Sequence, residues 1–526
     1  MFEKILATQF PRLLTQVCRD PNASCYGCFD RNWWHYRIRD FASVMLQQGG
    51  YTLFQYAKLD AYRSFQPELE AIARAAASFW NERATKRGAF EEYYPRERGY
   101  PPLAFSTLSM ARLVLEGAVD SEEVLPGLRK AATQLQQRFE SQSGNQQVAG
   151  LAALAVIRKV RPDLVKQERY LQQKEKTLSL QHSEGWYAEY DGPDLGYLSV
   201  TLDCLWDLFD VTLDQDYLQS ARKALDFMHG FIARRYGGAG MHNARNTDYI
   251  VPYGICRFLD HDEGEQEQQA REILHLVYGD VEAPRHFFYA IDDRYWSHYT
   301  GHSVVRAQLL LQEKRMQKPK GKQPGMPFAF GGAGIIFREL KNKDRLIVSG
   351  HKGGVFSVYN KHNTLISDYG WVIRSGNKQF VNHFWSDEWK WEATGDTVEV
   401  SGHMFPHREK ISKPSLHFGL RVVSFLFGSK LTKMLHSALR YQPGASGIAF
   451  TRKIAIGPAD ITITDQVLGI DKKVRVERAP RATKHHADSA DSWHEEDFGL
   501  LKVDEPMETI IREGTKVTVT TIYQCS

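Results

Sequence analysis

Roughly the first 300 residues carry apolar side chains at the three- and four-residue spacing of amphipathic helices. Gly, Pro or short polar turns separate these runs, and no strand-like alternation interrupts them. Consecutive helices joined by short turns predict antiparallel helical hairpins, and about 300 residues of hairpins exceed what a simple bundle needs. We therefore expect a curved array or a closed α/α toroid. The runs cover 69–80, 108–115, 148–156, 198–209, 225–232 and 273–277.

The pattern changes near residue 313. Residues 313–327 are basic, contain several prolines and have few apolar side chains, as is typical of an exposed linker. Beyond them, short runs rich in Val, Ile, Thr and Phe predict an antiparallel β-sandwich. The sequence thus divides into a helical domain at 1–312, the linker, and a sandwich domain at 328–526. The predicted strands cover 355–359, 364–366, 397–400, 420–427, 448–456, 461–467 and 517–523.

Composition narrows the range of functions. The 526 residues are 42% hydrophobic and include 67 basic and 63 acidic side chains, which give a formal net charge of +4. This balance does not indicate a nucleic-acid-binding protein, although a local basic groove for an anionic ligand stays open. The sequence shows neither a signal-peptide-like start nor an apolar stretch of membrane-spanning length, so we expect a cytoplasmic protein. A homodimer is left open.

The loop at 184–197 concentrates acidic and tyrosine side chains between two helical runs. Gly192 and Pro193 prevent a regular helix there, so the polar groups lie on a turn held by the flanking helices. Such loops are where functional sites are commonly built. Tyr197 is predicted on the first turn of the next helix, and Trp186 and Tyr190 are candidate substrate-binding residues. The alternative is that these aromatic side chains fill a core.

A second polar turn lies at 234–249, between two later helical runs. It contains His242, Arg245, Asn246 and Tyr249 within a glycine-rich segment. In a hairpin array this turn falls at the same end as the 184–197 loop. We therefore predict a binding role for Arg245, Asn246 and Tyr249, with His242 as a second candidate base; a polar helix-capping turn is the alternative.

Three local matches connect the layout to a known family. One is the segment 349–359 with the turn 365–370 after it, the second is Gly144-Asn145-Gln146-Gln147 at a helix start, and the third is Tyr197. Together with the order of helical array and sandwich, these segments resemble the heparinase II/III-like polysaccharide lyases, whose members combine an α/α toroid with a β-sandwich. The resemblance implies a fold and an activity for about the whole chain.

By this resemblance Asn145 and Gln146 neutralise a substrate carboxylate and Tyr197 acts as acid and base. The resemblance also places His351, Asp368 and His383 at positions that bind a structural zinc or calcium ion in some members. The chain departs from the family at Gln146, where a histidine is usual. It departs again at Ser349, in place of an often catalytic histidine, and at Gly353, in place of an aspartate.

The implied reaction is β-elimination in a polysaccharide or oligosaccharide that contains uronic acid, and it requires no cofactor. Removing the weakly acidic proton next to a carboxylate needs donors that meet the developing charge, which amides and a bidentate arginine supply. Two alternatives stay open. One is an α/α-toroid glycoside hydrolase that uses two carboxylates among Glu189, Asp191 and Asp194. The other is an inactive carbohydrate-binding protein of envelope or capsule polysaccharide metabolism.

Overall fold

Helices fill the first part of the chain and antiparallel strands fill the second, which confirms the predicted fold class. The computed structural model describes residues 1–85, 88–247, 249–261, 264–279, 287–312, 324–360, 364–407, 413–427, 446–471, 474–480 and 506–525. Its helices are α1 (Glu3–Gln16), α2 (Arg31–Trp34), α3 (Gln48–Tyr56), α4 (Gln66–Thr85), α5 (Tyr100–Leu115), α6 (Ser121–Gln137), α7 (Gly144–Val160), α8 (Gln167–Leu178), α9 (Leu195–Thr212), α10 (Gln215–Arg235), α11 (Tyr253–His261), α12 (Glu265–Tyr278), α13 (Phe287–Ala290), α14 (Asp293–Trp296), α15 (Tyr299–Gln312) and α16 (Pro414–Phe427).

Six of these helices close into an inner ring. Helix α3 packs against α5, then α5 against α7, α7 against α9, α9 against α11, and α11 against α15, which returns to α3. Every residue of α3 is buried, because an inner helix has neighbours on all sides. An outer helix follows each of α3, α5, α7, α9 and α11, so the inner helices run in one direction. Their N-terminal ends therefore share one rim, which we call the mouth of the toroid.

The strands form three antiparallel sheets around a second core. Their order is β1-β2-β3-β4-β5 in the first sheet, β10-β7-β6-β13 in the second and β14-β15-β12-β11-β9-β8 in the third. The strands are β1 (Phe328–Phe330), β2 (Ile335–Glu339), β3 (Arg345–Ser349), β4 (Val355–Tyr359), β5 (Thr364–Asp368), β6 (Trp371–Ser375), β7 (Lys378–Val381), β8 (Lys390–Thr394), β9 (Thr397–His403), β10 (Phe405–His407), β11 (Ala449–Ile456), β12 (Asp460–Leu468), β13 (Arg475–Arg478), β14 (Met507–Glu513) and β15 (Lys516–Gln524).

The first sheet is buried on both faces and joins the two domains. Phe337 and Ile347, paired across β2 and β3, pack into the core of the toroid. Their neighbours Ile336 and Leu346 pack into the core of the sandwich. Since side chains alternate between the faces of a strand, a strand between two cores is apolar throughout. The sheet is therefore a shared wall rather than an exposed surface of the sandwich.

Two ionic side chains fix this wall to the toroid. The Glu184 carboxylate accepts hydrogen bonds from the backbone N–H of Gly332 at 2.8 Å and of Ala333 at 3.0 Å. The buried Arg345 donates from Nη1 to the backbone oxygens of Ala233 and Arg234, at 2.5 and 2.8 Å. The latter carbonyls lie in the last turn of α10, where a cation is favourable.

One predicted strand is wrong: 420–427 belongs to helix α16. Its Val and Phe residues favour a strand locally, but β10 pairs with β7, and β11 pairs with β9 and β12, in the described sheets. A segment without a pairing partner satisfies its backbone groups most readily as a helix. Only Ser424 of α16 is buried, so its burial pattern does not distinguish strand from helix.

The predicted linker falls between the two kinds of structure. Helix α15 ends at Gln312 and β1 begins at Phe328, while residues 313–323 lie outside the described part. Within that described part, none of the helices is both long and apolar enough to cross a lipid bilayer.

Candidate active site

Asp194 ties two loops together at the mouth of the toroid. It is the N-cap of α9 and accepts from the backbone N–H of Tyr197 at 3.1 Å. The same carboxylate accepts from the Thr247 hydroxyl and, at 3.3 Å, from the backbone N–H of Arg245. An N-cap carboxylate both satisfies free N–H groups and complements the helix dipole. As a result, the predicted loops 184–197 and 234–249 meet beside Tyr197.

Arg245 lies between two tyrosine rings. Its guanidinium carbon is 4.8 Å from the ring centre of Tyr190 and 4.9 Å from that of Tyr197. Burial lowers the pKa of Arg245, but Tyr197, Tyr190 and Glu189 outweigh that effect, and the net shift of the pKa is upward. Arg245 is therefore a fixed positive charge that stabilises negative charge on either phenol oxygen.

Two amides at the start of α7 face the same group. Gln146 Nε2 donates to the Tyr190 hydroxyl at 3.4 Å, and Tyr190 itself adopts a left-handed backbone with φ of 55°. The Asn145 Nδ2 and Gln146 Oε1 atoms are buried and have no hydrogen-bond partner in the structure. Leaving a buried amide unpaired costs about 1–3 kcal/mol. Such groups are available to a ligand.

Glu189 binds the chain at the start of α7, where these two amides lie. It accepts from the Ser143 hydroxyl and the Asn145 backbone N–H, both at 2.8 Å. Burial raises the pKa of Glu189 to about 8, against the opposing effect of those two donors and of Arg245. The carboxyl group is thus protonated at neutral pH and engaged with the chain. Asp194, the N-cap of α9, is likewise bonded within the chain.

Further tyrosines surround Tyr197. The Tyr249 ring meets the Tyr197 ring edge-on at 6.1 Å, and its hydroxyl lies 2.8 Å from that of Tyr299. Burial raises the pKa of Tyr295 and Tyr299, and the nearby Tyr197 raises both further. The contribution of Tyr295 and Tyr299 was not predicted. The aromatic turn before α15, at the end of the helical domain, was the available signal.

His298 is a second residue that the prediction missed. It is buried beside Tyr295, with ring centres 5.0 Å apart, and its Nε2 atom has no partner in the structure. Burial, with a smaller contribution from Arg294, places the pKa of His298 well below its usual value. A neutral imidazole with a free nitrogen can take or give a proton, so His298 has the chemistry that was predicted for His242.

His242 lies between the toroid and the sandwich. Its Nδ1 lies 2.6 Å from the Ser349 hydroxyl and its Nε2 lies 2.8 Å from the Ser357 hydroxyl. Burial lowers the pKa of His242 far below its usual value, and Arg235 and Lys352 lower it further. Both nitrogens are occupied by serines of the sandwich. His242 therefore stabilises the seam between the domains, and its role as a second base stays a prediction.

Lys352 lies at the same seam and binds the side chain of Asn246. The Lys352 ammonium donates to the backbone oxygens of Met241 at 2.6 Å and Asn243 at 2.7 Å, and to the Asn246 side chain. Asn246 adopts a left-handed backbone with φ of 54°. Its amide oxygen is thus held by the chain, and the residue positions the loop that carries Arg245. A role in contacting substrate directly is not supported by this geometry.

Trp186 also faces the joint between the domains. Its ring stacks on His182 at 4.3 Å, and its N–H donates to Glu184 at 3.0 Å. Because Glu184 binds the first sheet, Trp186 fixes the domain joint. The predicted role in substrate binding gains no support from these contacts.

Comparison with known proteins gives structural matches only. No family model matches the chain, and a search of curated proteins finds no similar sequence. A chondroitin AC lyase of Streptomyces coelicolor A3 matches with a TM-score of 0.53 and 7% identity, over 99% of this chain and 77% of that one. A Paenibacillus xanthan lyase matches with a TM-score of 0.52 and 9% identity, over 89% of this chain and 45% of that one. The chain has the fold of these polysaccharide lyases. It spans less than half of the xanthan lyase.

The predicted metal ligands do not assemble in this polysaccharide-lyase fold. Both oxygens of Asp368 are used: Arg452 and Arg478 donate to them at 3.0 and 2.5 Å, with Tyr523 at 2.9 Å. Burial alone would raise the pKa of Asp368, but the two guanidinium groups hold it near about 2. The described residues contain no group of three His, Cys, Asp or Glu side chains placed to hold a metal ion.

The two histidines of that predicted set have other surroundings. His383 Nδ1 lies 2.8 Å from the backbone oxygen of Tyr369, and burial, with Lys352, lowers the pKa of His383 to about 3. His351 packs against Trp385, with ring centres 5.4 Å apart. A buried Asp–Arg network thus occupies the position that the resemblance assigns to a metal, and these residues do not fit one.

Proposed function

We propose that the protein is a lyase that cleaves a uronate-containing polysaccharide or oligosaccharide by β-elimination. The observation that carries this proposal is Arg245, held between Tyr190 and Tyr197 and beside the unpaired amides of Asn145 and Gln146. Asn145 Nδ2 is an unpaired neutral donor, Gln146 Nε2 donates to the Tyr190 hydroxyl, and Arg245 adds one cation beside the phenols. A carboxylate that becomes more negative during the reaction is the substrate group that such an arrangement favours.

The reaction is assigned to the side chains as follows. The amides of Asn145 and Gln146 hold the uronate carboxylate and stabilise the charge that develops when the proton on its neighbouring carbon is removed. The Tyr197 oxygen, as phenolate beside Arg245, takes that proton. The electron pair forms a carbon–carbon double bond as the glycosidic carbon–oxygen bond breaks. The Tyr197 phenol then returns the proton to the leaving oxygen.

The substitution of Gln146 for the histidine usual in the family is compatible with this scheme. Gln146 keeps a donor at the start of α7, and its contact with Tyr190 aligns it with Arg245. His298 is available for proton exchange at the same tyrosine group.

A panel of acidic glycans tests the proposal. Elimination leaves an unsaturated, ultraviolet-absorbing uronate at the new end, whereas hydrolysis leaves a reducing end without that chromophore. We expect the chromophore with at least one uronate glycan, and a loss of about 10²–10⁴-fold in kcat for Tyr197→Phe, which removes only the hydroxyl. Reducing ends without the chromophore, or full activity of Tyr197→Phe, would contradict the assignment.

A further inference from the structure

A polar pocket lies against helix α14, whose Tyr295 belongs to the tyrosine group around Tyr197. It has a volume of about 210 Å³ and is formed by the aromatic-rich N-terminal segment, the start of the inner ring at Leu46 and the short helix α14. Pockets that enclose a drug-sized ligand measure roughly 300–1,000 Å³, so this one suits a single small polar unit. Among the residues that line it are Asp30, Arg31, Tyr36, Arg39, Asp293 and Arg294.

Most charges in the pocket are already paired. Arg39 donates to Asp30 Oδ2 at 3.2 Å, Asp293 pairs with Arg12, and Arg294 donates to Glu92 at 2.8 Å. Arg31 has no carboxylate partner in the described part of the chain. The Arg31 guanidinium carbon lies 5.2 Å from the ring centre of Tyr36. Arg31 therefore leaves one positive charge for a ligand.

Unpaired buried atoms lie in the same pocket. Asp30 is fully buried, and its Oδ1 atom has no hydrogen-bond partner; the Nε atoms of Arg31 and Arg294 are also unpaired. A buried carboxylate oxygen without a donor is costly, and a hydroxyl group of a ligand would satisfy it. The pocket thus offers an acceptor for a hydroxyl and a cation for an anion, next to an aromatic ring that is 55% exposed at Tyr36.

The pocket is connected to the tyrosine group through α14. Arg294 lines the pocket, and the next residue, Tyr295, has its pKa raised by burial, by Tyr93 and by Tyr197. The Arg294 guanidinium carbon is also 5.4 Å from the ring centre of Tyr93. Arg294 and Tyr295, adjacent in α14, therefore connect the pocket to the tyrosine group.

We propose that this pocket is a subsite for one acidic sugar unit of the substrate. The anionic substituent of that unit binds the Arg31 guanidinium, a hydroxyl group donates to Asp30 Oδ1, and the sugar ring packs against Tyr36. The proposal rests on the proposed function in taking a glycan as the ligand. It adds that the protein recognises a second negatively charged sugar, away from the bond that is cleaved.

Binding of single sugars tests the pocket without depending on turnover. Ligand-observed NMR would be recorded with glucuronic acid, glucose 6-sulfate and glucose as probes. We expect the two acidic sugars to bind more tightly than glucose, and Arg31→Gln to weaken their binding about 10-fold or more, since it removes a charge-assisted hydrogen bond. The relative response of the carboxylated and the sulfated sugar then identifies the anionic group.

Two further variants complete the test. Arg63→Gln is the matched control, because Arg63 is a highly exposed arginine of the same domain that pairs with Asp60. Tyr36→Ala should weaken the binding of all three sugars through loss of ring packing, by a few-fold. Equal binding of acidic and neutral sugars, or equal binding by Arg31→Gln and Arg63→Gln, would overturn the proposal.

The outcome separates this proposal from the proposed function. Tyr197→Phe should bind glucuronic acid as the wild-type protein does, because the hydroxyl at Tyr197 is not part of the pocket. Charge-selective sugar binding without any elimination product would keep the subsite and reject the lyase. If the protein forms the elimination product but binds no single sugar, and Arg31→Gln has an unchanged KM, the lyase assignment stands and the subsite is rejected.

Discussion

Two polar clusters built on the same loop behave in opposite ways. At the seam, both nitrogens of His242 meet serine hydroxyls, and Lys352 donates to three oxygens. At the mouth of the toroid, a few residues away, the Arg245 guanidinium lies over two tyrosine rings, and amide atoms of Asn145 and Gln146 stay unpaired although buried. Both clusters contain residue types that sequence alone marks as catalytic.

The difference shows how to separate structural from functional polar residues. A buried polar cluster whose hydrogen bonds are complete stabilises the fold and leaves nothing for a substrate. A cluster with unpaired donors and acceptors lowers stability, and proteins keep such clusters where a bound ligand supplies the missing hydrogen bonds. By this criterion Asn145 and Gln146 are candidates for a site, whereas His242 stabilises the seam.

The largest expected effect is at Arg245. Arg245→Gln removes the cation between the two tyrosines, and loss of one such stabilising group typically lowers kcat about 10²–10³-fold. Gln keeps much of the side-chain volume, so the free energy of unfolding should change by less than the free energy of activation does. Steady-state kinetics and urea unfolding measure the two quantities. A large loss of stability with unchanged kcat would show that Arg245 stabilises the fold and does not act on a substrate.

The next effect is on stability, at His242. His242→Ala removes one hydrogen bond from Ser357, removes that of Ser349 and opens a cavity, which should cost about 2–4 kcal/mol of unfolding free energy. The folded fraction should keep kcat within about fivefold, because the group is away from the reacting atoms. Ser357→Ala is the milder control, at about 1 kcal/mol. If His242 were the second base, as the sequence indicated, kcat would fall at least about 10²-fold.

The helical part of the fold was predictable because its signal is local. The spacing of apolar residues predicted six helices, namely α4, α5, α7, α9, α10 and α12. The inner helices among them form the rim on which the two loops meet. The convergence of Tyr197 and Arg245 also followed, because turns of successive hairpins share one end. Strands β1 to β3 were missed, since their residues are apolar on both faces and show no alternation.

The roles that could not be predicted depend on partners distant in sequence. Asp368 is neutralised by Arg452 and Arg478, which lie 84 and 110 positions further along the chain. His242 meets Ser349 only because the first sheet packs on α10. No local pattern distinguishes an aspartate that binds two arginines from one that binds a metal.

A moderate effect is expected on pH dependence at His383. Because burial lowers its pKa in the folded protein to about 3, the unfolded chain binds more protons below its ordinary pKa of about 6.5. Stability is therefore complete above pH 6.5 and decreases as the pH falls toward 3. His383→Gln should reduce the slope of unfolding free energy against pH in that window by up to about 1.4 kcal/mol per unit. An unchanged slope would show that this histidine is protonated in the folded state.

The smallest effect on kcat, and the sharpest test of the mechanism, is expected at Glu189. Burial raises its pKa to about 8, so the folded protein holds a proton there that the unfolded chain releases above about pH 4.5. Stability should thus decrease as the pH rises from 4.5 to 8, a trend that Glu189→Gln, an isostere of the protonated acid, removes. Since its oxygens already bind Ser143 and Asn145, the same variant should change kcat less than about threefold. A loss of about 10²-fold or more would instead indicate that Glu189 is a reacting carboxyl group and would favour the hydrolase alternative.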